Sequence, residues 1–141
     1  MSPSLLTKRR IGSSAVAVFL LAFGLNYVWE HLHARLYVHY QGGPITEMVL
    51  LRAALIDALF IVGVYLLVYT VPFLAKHRWY WTILLGLLAA LFLERYALAT
   101  GRWAYADAMP LIPLLKTGLT PTIQLALTAV LAFRLADWKR Q

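Results

Sequence analysis

Apolar residues run along this chain in four long stretches, separated by short polar or turn-forming segments. The first begins at Ile11, behind Lys8, Arg9 and Arg10, and reaches about residue 34. Gln41-Gly42-Gly43-Pro44 stops it, because Gly and Pro together punctuate a turn. The others cover about 45–69, 79–99 and 120–137. About 20 apolar residues in a helix cross the hydrocarbon layer of a bilayer, so the pattern predicts four transmembrane helices. A basic start before an apolar run also describes a signal peptide, but this run is too long and Ala22-Phe23-Gly24 is a poor cleavage site. It reads as a retained first span. Short connections between antiparallel helices then predict an all-α integral membrane four-helix bundle, one domain over 1–141.

Local signals mark the ends. Thr46 reads as an N-cap with Glu47 in the first turn, where the helix dipole favours a carboxylate. Trp79, Tyr80 and Trp81 form an aromatic belt at the start of the third span. Within it Gly86, Ala90 and Glu94 share one face at spacings of four, and small residues at that spacing let two membrane helices approach closely. Gly101 reads as the glycine that closes this helix, and Thr120-Pro121 as N-cap and first helical position of the fourth. Between them residues 102–118 carry Trp103, Tyr105, Met109, Leu111, Leu114 and Leu115. A connection this apolar is expected as an interfacial or re-entrant loop, a lid over the polar residues beneath it.

Composition agrees with the pattern. Of 141 residues 62% are hydrophobic and 13% charged, with mean hydropathy +0.70. Soluble domains are about half apolar. The net charge of +7 is carried by Lys and Arg clustered beside the apolar runs, an orientation signal and not a nucleic-acid groove. One side of the predicted bundle has Lys8, Arg9, Arg10, Lys76, Arg78, Arg134, Lys139 and Arg140, the other Arg35, Arg102 and Lys116. That bias predicts a multi-pass protein of the cell inner membrane with both termini cytoplasmic. Cysteine is absent, which excludes disulfides and thiolate chemistry.

The informative residues are the polar ones inside the spans. Asn26, Glu30, His33 and Tyr37 recur at i, i+4, i+7 and i+11 and so share one helical face. The histidines His31, His33 and His39 read as solvated interface residues. In the second span Arg52 lies ~10 Å from the start, while Asp57 is ~18 Å in and is the costlier to bury. The two are turned ~140° apart, so each looks for a partner on another span. Glu94 points into the helix seam, Arg95 towards head groups, and Gln124 sits ~5 Å into the fourth span. Intramembrane ionisable groups are functional by default. Glu94, Glu30 and Asp57 are therefore candidate acids or bases, and Asn26, Arg52, Arg102, Trp103, Tyr105 and Gln124 candidate substrate-binding residues. Glu30, His33 and Glu94 are metal-ligand types without a metal-binding spacing, so no metal and no cofactor is expected.

The string Glu94, Thr100-Gly101, Trp103, Tyr105, Pro110, Pro113 resembles a segment of membrane-embedded carotenoid-modifying enzymes of the lycopene cyclase type. The resemblance covers about 30 residues. It implies protonation or hydration of isoprenoid double bonds, with carboxylates near the segment as acids. The paired glutamates expected after the proline are replaced by Pro121-Thr122-Ile123-Gln124. The chain is equally similar to small four-span bacterial membrane proteins with Asn-x-x-Trp-Glu in the first span and Gly-Arg-Trp-x-Tyr after the third. The resulting expectation is an acid/base enzyme acting on a membrane lipid or isoprenoid. The alternatives are a non-catalytic assembly subunit, binding a membrane-protein partner or a second copy through the same polar groups, and a small oligomeric transporter.

Overall fold

A computed structural model describes residues 3–138, with side chains over 11–137. Lys139 and Arg140, and the side chains of Lys8, Arg9 and Arg10, lie outside these limits. The long helices are α1 (Pro3–His33), α2 (Glu47–Thr70), α4 (Arg78–Ala99) and α5 (Leu119–Trp138), with a single turn, α3 (Pro72–Ala75), between α2 and α4. Each long helix carries a stretch of at least 19 residues that is apolar enough to cross a bilayer. With four such helices among the described residues, this is a multi-pass membrane protein.

The helix ends follow from side-chain and backbone chemistry. The Thr46 hydroxyl accepts the Val49 N–H at 3.4 Å and starts α2. Val71 is held extended (φ −89, ψ 114) before Pro72, which ends it. Gly101 turns α4 off with φ +65, so that the Arg102 N–H returns to the Ala97 carbonyl at 2.8 Å. The start of α5 differs from expectation. It begins at Leu119, and Thr120 sets its hydroxyl 3.5 Å from Met109 Sδ instead of capping. The Thr122 hydroxyl donates to Gly118 O at 2.7 Å, and Pro121, within the first turn, gives up an N–H that has no helical acceptor there.

Small residues set the packing. In α4 the buried positions are Thr82, Gly86, Ala90, Glu94 and Ala97, a stripe that faces α5. A Cβ on Gly86 would lie 2.7 Å from both Cα and N of Ala126, so these two backbones touch. On α5 the matching stripe is Ala126, Ala129, Ala132 and Phe133. Helix α1 packs along α2 and α5, and α4 along α5, whereas α2 and α4 meet far less. The apolar core, with Val18, Ala22, Ile61, Tyr65 and Phe133 at its centre, fills the half of the bundle nearer the α2–α4 connection.

At the opposite end the two long connections fold together. A short 3-10 turn (Ala34–Leu36) leads from α1 into β1 (Tyr37–Tyr40), which pairs antiparallel with β2 (Trp103–Tyr105), matching Tyr37 to Tyr105 and Tyr40 to Trp103. A second ladder joins β3 (Leu111–Ile112) to β4 (Thr117–Gly118). The segment expected as an apolar loop is thus a lid of two small ladders, one of them shared with the first connection. Arg95, expected to reach head groups, ties this lid down by donating to Leu115 O at 2.9 Å.

Candidate functional site

Beneath the lid, side chains from three helices meet at one nitrogen. Gln124 Nε2 of α5 donates to Glu30 Oε1 of α1 at 2.7 Å, to Asp57 Oδ2 of α2 at 3.0 Å and to Asn26 Oδ1 of α1 at 3.1 Å. The Glu30 and Asp57 oxygens are therefore no farther apart than the 2.7 and 3.0 Å legs laid end to end. A primary amide has two protons, so three acceptors around it leave one poorly served. Asn26 is fully buried, passes its own amide to Ala22 O at 2.8 Å and takes a second donor, the Thr128 hydroxyl, at 3.3 Å. Helical spacing explains the arrangement. Asn26 and Glu30 are one turn apart on α1, as Gln124 and Thr128 are on α5.

Glu94 sits apart from this group and is held by the lid. Its carboxylate accepts from Tyr37 Oη at 3.3 Å, from Trp103 Nε1 at 3.3 Å and from the Tyr105 hydroxyl. Tyr105 in turn accepts the Gly118 N–H at 2.8 Å, so β1, β2 and β4 all converge on one carboxylate that is only 4% exposed. Burial, together with the neighbouring Glu94 charge, pushes both tyrosine hydroxyls above their ordinary range. They remain donors.

Between the two groups lies a cavity of about 310 Å³. Glu30, Asp57 and Gln124 line one side and Glu94 of α4 another, with Tyr37 and Trp103 in the roof. The rest is largely apolar, including Leu50, Ile56, Ala90 and Leu125. Arg52 and Arg102 also line it, yet among the described residues neither makes an ion pair or a side-chain hydrogen bond. Arg52, expected to seek a group on another span, has none. The single ion pair among those residues joins His31 to Glu47 at 2.9 Å on the surface, where Glu47 also accepts from Tyr27 at 2.6 Å.

The predicted site residues thus divide by position. Glu30, Asp57, Glu94, Arg52, Arg102, Trp103 and Gln124 reach the cavity. Asn26 and Tyr105, read from sequence as substrate-binding, stand behind its wall and position Gln124 and Glu94. Among the histidines, His33 is buried and lines the cavity, its ring edge-on to Tyr37, contrary to the solvated reading. Tyr37 and Thr128 are additional members. The i+11 spacing from Asn26 put Tyr37 on the α1 face, but α1 ends at His33 and Tyr37 reaches the cavity from β1, while Thr128 shows itself only as one turn beyond Gln124. Among the described residues no three His, Asp or Glu side chains are grouped to hold a metal ion. No family model, curated protein or solved structure matches the chain.

Proposed function

We propose that the chain is an acid/base enzyme of the membrane that moves protons on a lipid or isoprenoid held in this cavity. The observation that carries the reading is that Glu94 and the Glu30–Asp57 pair line the same apolar cavity under an aromatic roof. Two carboxyls sharing one amide donor in a low-dielectric seam repel each other when both are charged, and a single proton between them relieves the repulsion. Three donors hold the Glu94 carboxyl in place, and so orient the group that receives the proton. The pair then donates a proton to one carbon of a double bond. The cation that forms loses a proton from a neighbouring carbon to Glu94. The substrate gains and loses one proton, Glu94 then returns its proton to the Glu30–Asp57 pair, and the net change is an isomerisation or a cyclisation without an oxidant. Tyr37 and Trp103 are aromatic residues of the cavity wall, and a ring face turned to the cation would attract it by about 0.5–2 kcal/mol. The lycopene cyclase-type resemblance around Glu94, Trp103 and Tyr105 points to the same chemistry.

By the Lys and Arg bias we place the protein in the inner membrane with both termini cytoplasmic and the lid outside. The cavity then opens to the outer leaflet.

One observation favours a second reading as a non-catalytic assembly subunit. The Gln124 amide joins α1, α2 and α5, which is also how a buried polar group fixes helix register. Solvent exchange separates the two. Purified protein in liposomes, incubated with isoprenoid-containing membrane extract in D2O, is expected to place deuterium in a lipid, as read by mass spectrometry, and Glu94→Gln or Asp57→Asn is expected to stop it. Equal labelling by wild type and both variants would sink the enzymatic reading.

A further inference from the structure

The cavity has an unclosed side. Helices α2, α1, α5 and α4 follow one another around the bundle, and the closing side, between α4 and α2, is the one where packing is thin. The two helices are tied at one end by the short 71–77 connection, while at the lid end cavity-lining residues stand between them. Ile56 of α2 is 62% exposed, Leu93 of α4 43% and Tyr96 48%, and all three also line the cavity. A residue that is both wall and outer surface marks an opening. In a spanning helix that opening faces lipid tails and not water.

Two guanidinium groups share the cavity. Arg52 lies in the second turn of α2 and Arg102 just past the end of α4, so one comes from each helix flanking the gap, both at the lid end. Three carboxylates line the same cavity, and still neither arginine pairs with one. Guanidinium groups brought near an apolar chamber and left without an internal anion are suited to an external one, and planar bidentate donation fits phosphate best. A chain-bearing ligand meets both features at once: an anionic head at the lid end, and an apolar tail through the α2–α4 gap.

We infer that the cavity binds a lipid with a phosphate head group, of the prenyl phosphate class, which enters sideways between α2 and α4 and is held by Arg52 and Arg102. This rests on the reading of the cavity as the reaction site and supplies its substrate class. The head at Arg52 and Arg102 leaves the chain's first double bonds among Glu30, Asp57 and Glu94, so binding energy at the phosphate positions the reacting carbons.

The test uses the full-length protein, delipidated in detergent, with binding followed by native mass spectrometry. Farnesyl phosphate, farnesol and inorganic phosphate are compared. Charge-assisted bonds to two arginines predict that farnesyl phosphate binds at least about tenfold more tightly than farnesol. Inorganic phosphate alone should be weaker still. Arg52→Gln with Arg102→Gln should abolish the preference for the phosphate while leaving farnesol binding and the melting temperature unchanged, since neither side chain holds the fold together. A photoreactive farnesyl phosphate should label α2 and α4 around Ile56 and Leu93. Equal binding of farnesol and farnesyl phosphate overturns the proposal, as does inorganic phosphate binding as tightly as the lipid. Labelling confined to the apolar groove of Gly24, Val28, Leu127 and Leu131 between α1 and α5 overturns it too. Failure of the acid/base reading looks different. Farnesyl phosphate that binds through the two arginines but takes up no deuterium from D2O removes the chemistry and keeps the lipid site.

Discussion

The amide nitrogen of Gln124 lies 2.7 Å from a carboxyl oxygen of Glu30, across the seam between the last span and the first. The same nitrogen serves Asp57, so one neutral donor mediates between two acids from two other helices. Removing it leaves both without that partner. Gln124→Leu is therefore expected to destabilise the protein by about 1–3 kcal/mol, the penalty for stranding a buried polar group. Adding Asp57→Leu, which removes one stranded acid, should recover part of the loss. Thermal melting in detergent measures both, and a double variant less stable than the single one would contradict the arrangement.

Glu94 and Arg52 line one cavity without touching, because the Glu94 carboxylate is taken up by Tyr37, Trp103 and Tyr105. Their effects on stability should therefore add. The double-mutant cycle of Glu94→Gln and Arg52→Gln is expected to close within ~0.5 kcal/mol. Rescue of Glu94→Gln by Arg52→Gln would instead reveal a direct pair.

Tyr37 and Tyr105 titrate above their ordinary value of 10.0 in the folded protein, raised first by burial and then by Glu94. A group that holds its proton more tightly when folded gives its full stabilisation below the unfolded value, and that contribution falls as pH climbs past it. Melting temperature is expected to drop as pH rises above about 10, and to drop less steeply in Tyr37→Phe with Tyr105→Phe. Identical slopes would show that these hydroxyls are not linked to folding. At neutral pH, Tyr105→Phe alone should cost about 1–3 kcal/mol, since it strands the Gly118 N–H and strips Glu94 of a donor.

Gly86 is pressed against the α5 backbone, with 2.7 Å between a built Cβ and Ala126 Cα. Neither backbone can yield alone. Gly86→Ala is expected to cost about 1–3 kcal/mol and Gly86→Leu to prevent folding in detergent, whereas Leu87→Ile, one position along the helix, should stay under about 1.5 kcal/mol. Comparable melting shifts for Gly86→Ala and Leu87→Ile would remove close backbone approach as the organising contact of α4 and α5.

Hydrophobic run length alone determined the four spans, since crossing a bilayer is a property of each segment and needs no partner. Local chemistry likewise determined the Thr46 cap, the Gly101 turn and the Gly86–Ala90–Glu94 stripe, all of which depend on residues within a turn or two. Periodicity put Asn26, Glu30 and His33 on one face of α1 and so exposed part of the site, whereas Tyr37, counted on the same face, comes from β1. What faced them was decided in three dimensions. Whether Asp57 met an arginine or Gln124 depends on helix rotation and neighbour order, and Arg52 and Asp57 offered opposite charges to any comer. The lid was further still from view. Strands of two to four residues carry too little alternation to be read, and β1 and β2 are brought together only because α1 and α4 end at the same side of the bundle. His33 was misjudged for the same reason: a histidine near a helix end is solvated unless something covers it, and the folded Tyr37 strand, with Trp29 one turn back on α1, supplies the cover.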